Sequence, residues 1–372
     1  MKTKNNMYFI NTFSLKKAFE MVVLGAVLTL FTACGGGGSG GAVEASANKF
    51  IITVKTDNTG DSSDVEFEIP TNVATYPAGY NYNVDCDNDG ENETTDENAN
   101  YICEYDSAGT YTIAIEGDFP QIYFNGEKDK NKIISIDQWG TNPWKNMNKS
   151  FLGCINLAGQ ASDNPDLNNV TNMSTMFSLA TTFNQDISGW NVSNVTNMGA
   201  MFAYAAKFNQ DISGWDVSSV ENMGSMFFTA VEFNQNIGGW DVSNVRTMNS
   251  MFFTARNFNQ DLRLWKVNNV TDMRTMFAEA TSFDQNVGAW QPYAVTSMEG
   301  MFRDVTLSVA NYRLLLEGWD FKKINLQDNV TFSGGNSLVA CTGITDTECL
   351  AAFEGRQNLI NDKGWIITDG EL

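Results

Sequence analysis

The chain has 372 residues, 44 of them acidic and 23 basic, a formal net charge of −21 and no histidine. Such a surface repels phosphate backbones and anionic headgroups, which disfavours nucleic acid as a partner. The lack of imidazole excludes Ser–His and Cys–His nucleophiles, histidine acid–base chemistry and the commonest metal ligand.

Residues 1–33 read as a leader. Lys2, Lys4, Lys16 and Lys17 stand against Glu20, so the remainder carries −24, and "MVVLGAVLTLFTA" (21–33) is an apolar run of 13 residues. That run is too short for a spanning helix and suits the central region of a signal peptide. Leu30-Phe31-Thr32-Ala33-Cys34 resembles the bacterial lipobox, although Phe31 stands where an aliphatic residue is usual. The resemblance implies a lipid on Cys34 as the first mature residue. Residues 34–47 begin with Gly/Ser-rich sequence and form a flexible tether. Gly35 follows the cysteine, with no retention-type Asp, which favours an outer-membrane or surface location in a Gram-negative cell.

Over 48–125, "FIITVKT", "DVEFEIP", "YNYNVDC", "YICEY" and "TYTIAIEG" are short β-rich runs between Gly, Asp and Asn turns, the pattern of a small sandwich. "YDSAGTYTIAI" resembles the closing hairpin of PKD-type and other immunoglobulin-like modules. Export permits disulfides, so Cys86 pairs with Cys103, and Cys341 with Cys349. "DCDNDGENETTD" places Asp85, Asp87 and Asp89 at calcium-loop spacing, with Asp96 as the twelfth residue. Calcium competes there with a plain acidic turn, because the last ligand is Asp, not Glu, and the flanks are not helical. No other cofactor is implied.

From 133 to 305 the chain repeats itself with a period of 25. Trp recurs at 190, 215, 240, 265 and 290, and Met at 173, 198, 223, 248, 273 and 298 and again three residues later. Phe follows each second Met, at 177, 202, 227, 252, 277 and 302, and returns at 183, 208, 233, 258 and 283. Such a period means stacked units, none of which can bury its apolar side alone. Ile212-x-x-Trp215-x-Val217 is similar to the strand of leucine-rich repeats, and Val220-x-x-Met223-x-x-Met226-Phe227-x-x-Ala230-x-x-Phe233 steps by three and four like a helical or 3₁₀ return. The second line resembles the BspA-like leucine-rich repeat surface proteins. The resemblance implies a mixed α/β solenoid, a leucine-rich-repeat-type coil of about seven repeats, preceded by the Ig/PKD-like sandwich. Worn copies carry Pro165 and Trp139 in or near the Trp slot, and Cys154 in the slot of Ala180 and Ala205, so Cys154 reads as a core residue. The Met and Trp columns likewise read as core, not as copper ligands or sugar platforms. Residues 306–372 form a disulfide-bearing cap.

On the strand reading, Asn191, Asp216, Asp241, Lys266 and Gln291 stand outward and vary, the way a repeat scaffold presents a binding face. Just before them, Asp186, Asp211, Asn236, Asp261 and Asn286 form an Asx column suited to binding or to backbone turns. The family resembled is associated with attachment at cell surfaces. The expected function is thus a surface-anchored, non-catalytic adhesion module for a protein or glycan, touching the membrane only through its lipid. The alternatives are a carboxylate-dependent hydrolase or a passive envelope spacer.

Overall fold

A computed structural model of the chain describes residues 47–339 and 347–370. The expected leader, Cys34, the tether before residue 47 and Cys341 lie outside the described residues.

The first strand, β1 (Phe50–Lys55), alternates Phe50, Ile52 and Val54 into the core. It lies between β6 and β7 in an antiparallel sheet of order β4-β3-β6-β1-β7, with β3 Asn81–Asp85, β4 Thr94–Glu97, β6 Thr110–Asp118 and β7 Ile133–Gln138. β2 (Glu66–Ile69) and β5 (Tyr101–Glu104) pair only with each other. Cys86, just after β3, is disulfide-bonded to Cys103 in β5, which ties the ribbon to the sheet. A buried ion pair fixes the loop before β2. The Lys132 ammonium donates to Ser62 Oγ at 2.7 Å and to the carbonyls of Ser62, Ser63 and Glu66. Asp129 accepts from the amides of Asp61, Ser62 and Glu68, so neither buried charge lacks partners.

The expected Ig/PKD-like sandwich is corrected by this topology. Five strands share one sheet, and the second layer is a two-stranded ribbon. β7 comes from residues that the sequence assigns to the repeats.

The repeats are built from turns. In the segment 173–180, alternate amides leave the repeat: Met173, Thr175, Phe177 and Leu179 donate to the carbonyls of Asn197, Gly199, Met201 and Ala203 at 2.7–2.9 Å. The intervening amides of Met176, Ser178 and Ala180 turn back three residues, to Met173, Thr175 and Phe177. The pattern recurs with the repeat. Isolated parallel bridges link Asn172, Asn197, Asn222, Thr247, Asp272 and Ser297 in succession. Two residues per repeat are left-handed, among them Thr175 and Leu179, Ala200 and Tyr204, Ser225 and Thr229, all with φ between 54° and 64°.

The mixed α/β leucine-rich-repeat coil expected over 133–305 is therefore not what the chain forms. Among the described residues, both α-helices follow the repeats: α1 (Val309–Lys322) and α2 (Thr347–Lys363). The three-and-four spacing of Val, Met, Met-Phe and Ala marks successive turn corners, and left-handed residues between them prevent a continuous helix. The Trp-x-Val segment, expected to be the strand, has no ladder; the bridges lie on the side expected to be helical.

Aromatic rings fill the interior. Phe151, Phe177, Phe202, Phe227, Phe252, Phe277 and Phe302 stack in one column with centroids 5.4–5.9 Å apart. Phe183, Phe208, Phe233, Phe258 and Phe283 make a second column. The Met columns and Cys154 are fully buried, and burial pushes the Cys154 thiol well up, so it is a core side chain. Each later tryptophan is buried and tied one repeat back: the indole N–H groups of Trp215, Trp240, Trp265 and Trp290 donate to Ile187, Ile212, Ile237 and Leu262 carbonyls at 2.8–3.1 Å.

Both ends of the stack are covered. At the N-terminal end, Phe50 packs on Trp139 and Trp144, and Phe124 on Phe151. At the other end, Met298 bridges to Phe332 in β8 (Thr331–Ser333), which pairs with β9 (Ile366–Thr368). Arg356 in α2 holds Asp369 through two hydrogen bonds of 2.8 Å, and Tyr312 of α1 donates to the same carboxylate. Cys349 is buried and disulfide-bonded.

Replacing Trp240 by Phe keeps a ring but removes the indole bond, leaving the Ile212 carbonyl with the Trp215 amide as its partner. The Trp240→Phe variant should lose about 0.5–1.5 kcal/mol in urea unfolding from the missing bond. An unchanged midpoint would show that the indole bond contributes nothing.

Candidate functional site

The residues expected to form the binding face, Asn191, Asp216, Asp241, Lys266 and Gln291, are all exposed and recur at the same place in successive repeats. The face itself is a run of turns. Asn191, Asp216 and Asp241 accept hydrogen bonds from the amides of Ser193, Ser218 and Ser243 at 3.0–3.3 Å. Gln291 accepts from Asn268 Nδ2 at 3.0 Å, and Lys266 lies close enough to Asp241 to act on its carboxylate electrostatically. The neighbouring Asx column does the same work: Asp186, Asp211, Asn236, Asp261 and Asn286 accept from the amide two residues on at 2.9–3.1 Å. Most of these side chains are acceptors already committed to their own backbone.

A second polar column was not singled out by the sequence reading. Asn184, Asn209, Asn234 and Asn259 each accept, through Oδ1, the amide of the equivalent residue in the next repeat at 2.9 Å. Asp284 passes the column to Ser308, the N-cap of α1, at 2.8 Å. The signal was present: Phe-Asn-Gln stands unchanged at 183–185, 208–210, 233–235 and 258–260. An unvarying polar residue beside an unvarying core residue marks a structural hydrogen bond.

Asp85, Asp87 and Asp89 do gather, with carboxylate oxygens within 4.8 Å of one another; Asp96 is not in the group. Asp96 is exposed and its amide donates to Asn83. The buried Asp85 carboxylate already accepts from the amides of Asp89 and Gly90 and pairs with Lys49 at 3.2 Å. A cation would have to displace that ammonium. Millimolar calcium should accordingly raise the melting midpoint by less than about 1 °C, since only tight binding to the native state stabilises it appreciably. A rise of several degrees would restore the calcium loop.

The ladder side carries a groove of about 650 Å³. Ser250, Thr275 and Gly300, equivalent positions of three repeats, form its floor, with Arg274, Glu299 and Arg303 on its rim. Thr331 and Ser333 of β8 and Thr368 of β9 close its far end. Ser250 and Thr275 hydroxyls are 2.7 Å apart. Beside the groove, half-buried Phe228 and Phe253 stack with centroids 4.6 Å apart, and the Arg303 guanidinium lies 5.4 Å above Phe253. Tyr204, exposed, packs on the other side of Phe228. Arg274 chelates Asp272 through Nε and Nη2, and Arg303 donates to Glu279 at 3.3 Å. Desolvation works against the Asp272 carboxylate, yet the hydrogen bonds from Arg274 hold it below the usual range, so it stays ionised.

Folding lowers the pKa of Asp211 and Asp216, because the hydroxyl and amide of Ser213 and Ser218 favour the ionised form. Their contribution is complete above the unfolded value, about 3.9, and is lost as pH falls through the depressed folded values. An Asp211→Asn/Asp216→Asn variant, which keeps the acceptors without the charge, should lose less stability between about pH 4 and 2 than the parent chain. Equal acid sensitivity of the two in circular dichroism titrations would reject this.

A family model described as a Mycoplasma protein of unknown function, DUF285, matches residues 121–236 and 208–313. No curated protein and no solved structure matches the chain. The two matches overlap and together cover 121–313, just over half of the 372 residues, and so the chain belongs to the family described as Mycoplasma protein of unknown function, DUF285.

Proposed function

We propose that this chain is a cell-surface protein, lipid-anchored at Cys34 in the outer membrane of a Gram-negative cell, whose repeat array binds an extracellular protein or glycan without catalysis. The observation that carries the reading is the contrast within the array. Inward columns are uniform and buried, while the surface of the ladder side changes from repeat to repeat. Among the positions there that are at least partly exposed, 228, 253 and 303 are Phe, Phe and Arg, and 179, 204, 229, 279 and 304 are Leu, Tyr, Thr, Glu and Asp. Packing has no use for such variation, whereas recognition does.

The leader and the resemblance of the repeat line to BspA-like surface proteins support the location and the class. Among the described residues, no helix is long and apolar enough to cross a membrane, which is compatible with attachment through a lipid. The groove speaks against a hydrolase. Glycoside hydrolysis ordinarily needs two facing carboxyl groups, one of them with a raised pKa. Among the described residues that line the groove, Glu299 is the one carboxylate.

The purified full chain, applied to arrays of polysaccharides and extracellular-matrix proteins, should be retained on at least one while releasing no reducing sugar or peptide from it. Turnover of any arrayed polymer would replace this reading with the hydrolase. Retention by none would leave the spacer.

A further inference from the structure

We propose that the groove around Gly300 binds a neutral glycan chain lying across successive repeats; this rests on the binding reading above and names the ligand class of that surface. The first support is a break in one column. Positions 175, 200, 225, 250, 275 and 300 carry Thr, Ala, Ser, Ser, Thr and Gly, and all six are left-handed, with φ of 54°, 54°, 56°, 55°, 51° and 65°. Five side-chain-bearing residues hold this conformation, so the backbone alone does not call for glycine at 300. Packing constrains it little: a Cβ there would press on the Thr275 methyl alone, at 3.1 Å, which a small shift of that side chain relieves. What the glycine supplies is open space, on the floor of the groove.

The second support is the chemistry around that space. Hydroxyls of Thr331, Ser333 and Thr368 offer donors and acceptors, and those of Ser250 and Thr275, whose protons go to Thr275 and to the Arg274 carbonyl, add acceptors, as the hydroxyls of a sugar require. Charge decides between neutral and acidic chains. Arg274 is paired with Asp272, and Arg303 with Glu279 and Asp304, while Glu299 adds a further negative charge. No net positive field remains to attract an acidic polymer, and the chain as a whole carries −21. The third support is the stacked pair Phe228 and Phe253 with Arg303 above it. An apolar edge beside a hydroxyl-lined floor matches a hexose, which has C–H faces and a polar rim. Equivalent Phe rings of successive repeats lie 5.4–5.9 Å apart, close to the length of one pyranose unit.

The test is affinity electrophoresis of the purified full chain in gels containing galactomannan, xyloglucan or laminarin as neutral polymers and alginate as the acidic one. At least one neutral polymer should retard the chain, and alginate should not. Gly300→Thr places in the groove the residue that the same column holds at 175 and 275; the left-handed backbone strains a side chain there, so the melting midpoint should fall by a few degrees with the chain still folded at assay temperature, and retardation should weaken at least tenfold. Retardation by no neutral polymer, or equal retardation of Gly300→Thr and the parent chain, overturns the proposal. If matrix proteins retain the chain and no neutral polymer retards it, the glycan groove is rejected while the binding reading stands. If nothing retains the chain, both are rejected.

Discussion

Every second amide of the turn segment in a repeat is hydrogen-bonded to the following repeat, and the rest of the structure depends on that arrangement. A β-turn on its own closes one weak bond and leaves its outward amides to water. Here the outward amides of Met173, Thr175, Phe177 and Leu179 find carbonyls in the next copy, which does the same in its turn. Buried backbone groups must be paired, so each repeat is complete only when a neighbour of matching geometry lies against it. A one-residue insertion inside a turn segment would put donors opposite donors. The single irregularity in spacing, 26 residues from Phe151 to Phe177, falls between turn segments, where the connection absorbs it.

That arrangement explains why residues other than glycine tolerate a costly backbone. A left-handed residue with a side chain costs roughly 1–2 kcal/mol, and the array contains two per repeat. Against this stand the rings. Each large aromatic buries roughly 150–250 Å², and the Phe columns add stacking contacts between repeats. The Asn184–Asn259 column and the indole bonds fix the relative height of neighbouring repeats, so the strain is shared by an assembly that no single repeat could sustain.

Much of this is legible in the sequence, but not all of it. The period, the inward Trp, Met and Phe positions and the core role of Cys154 follow from residue type and spacing, because burial selects apolar side chains whatever the backbone does. The backbone itself is not specified by that spacing. Apolar residues at i, i+3, i+4 and i+7 mark one face of a helix, and equally the corners of consecutive turns that close every three residues. What separates the two is the sign of φ at Thr175, Leu179 and their equivalents, and Thr, Leu, Ala, Tyr and Ser do not advertise a positive φ as glycine would. The sandwich reading failed for a different reason. Strand runs reveal pairing partners poorly, and β7 belongs to the sheet only because a β1 edge and the first worn repeat meet there.

The same distinction governs where recognition can occur. The exposed Asx side chains on the Trp-x-Val side vary in identity, yet Asn191, Asp216 and Asp241 have spent an acceptor on the turn that carries them. A ligand that took those oxygens would loosen the scaffold it was binding. On the ladder side the backbone satisfies itself through the inter-repeat bonds, so hydroxyls such as those of Thr331 and Thr368 and the half-buried rings of Phe228 and Phe253 are not needed to hold the chain together. Side chains released from structural duty can change without cost to the fold, and that is the side on which the repeats differ most.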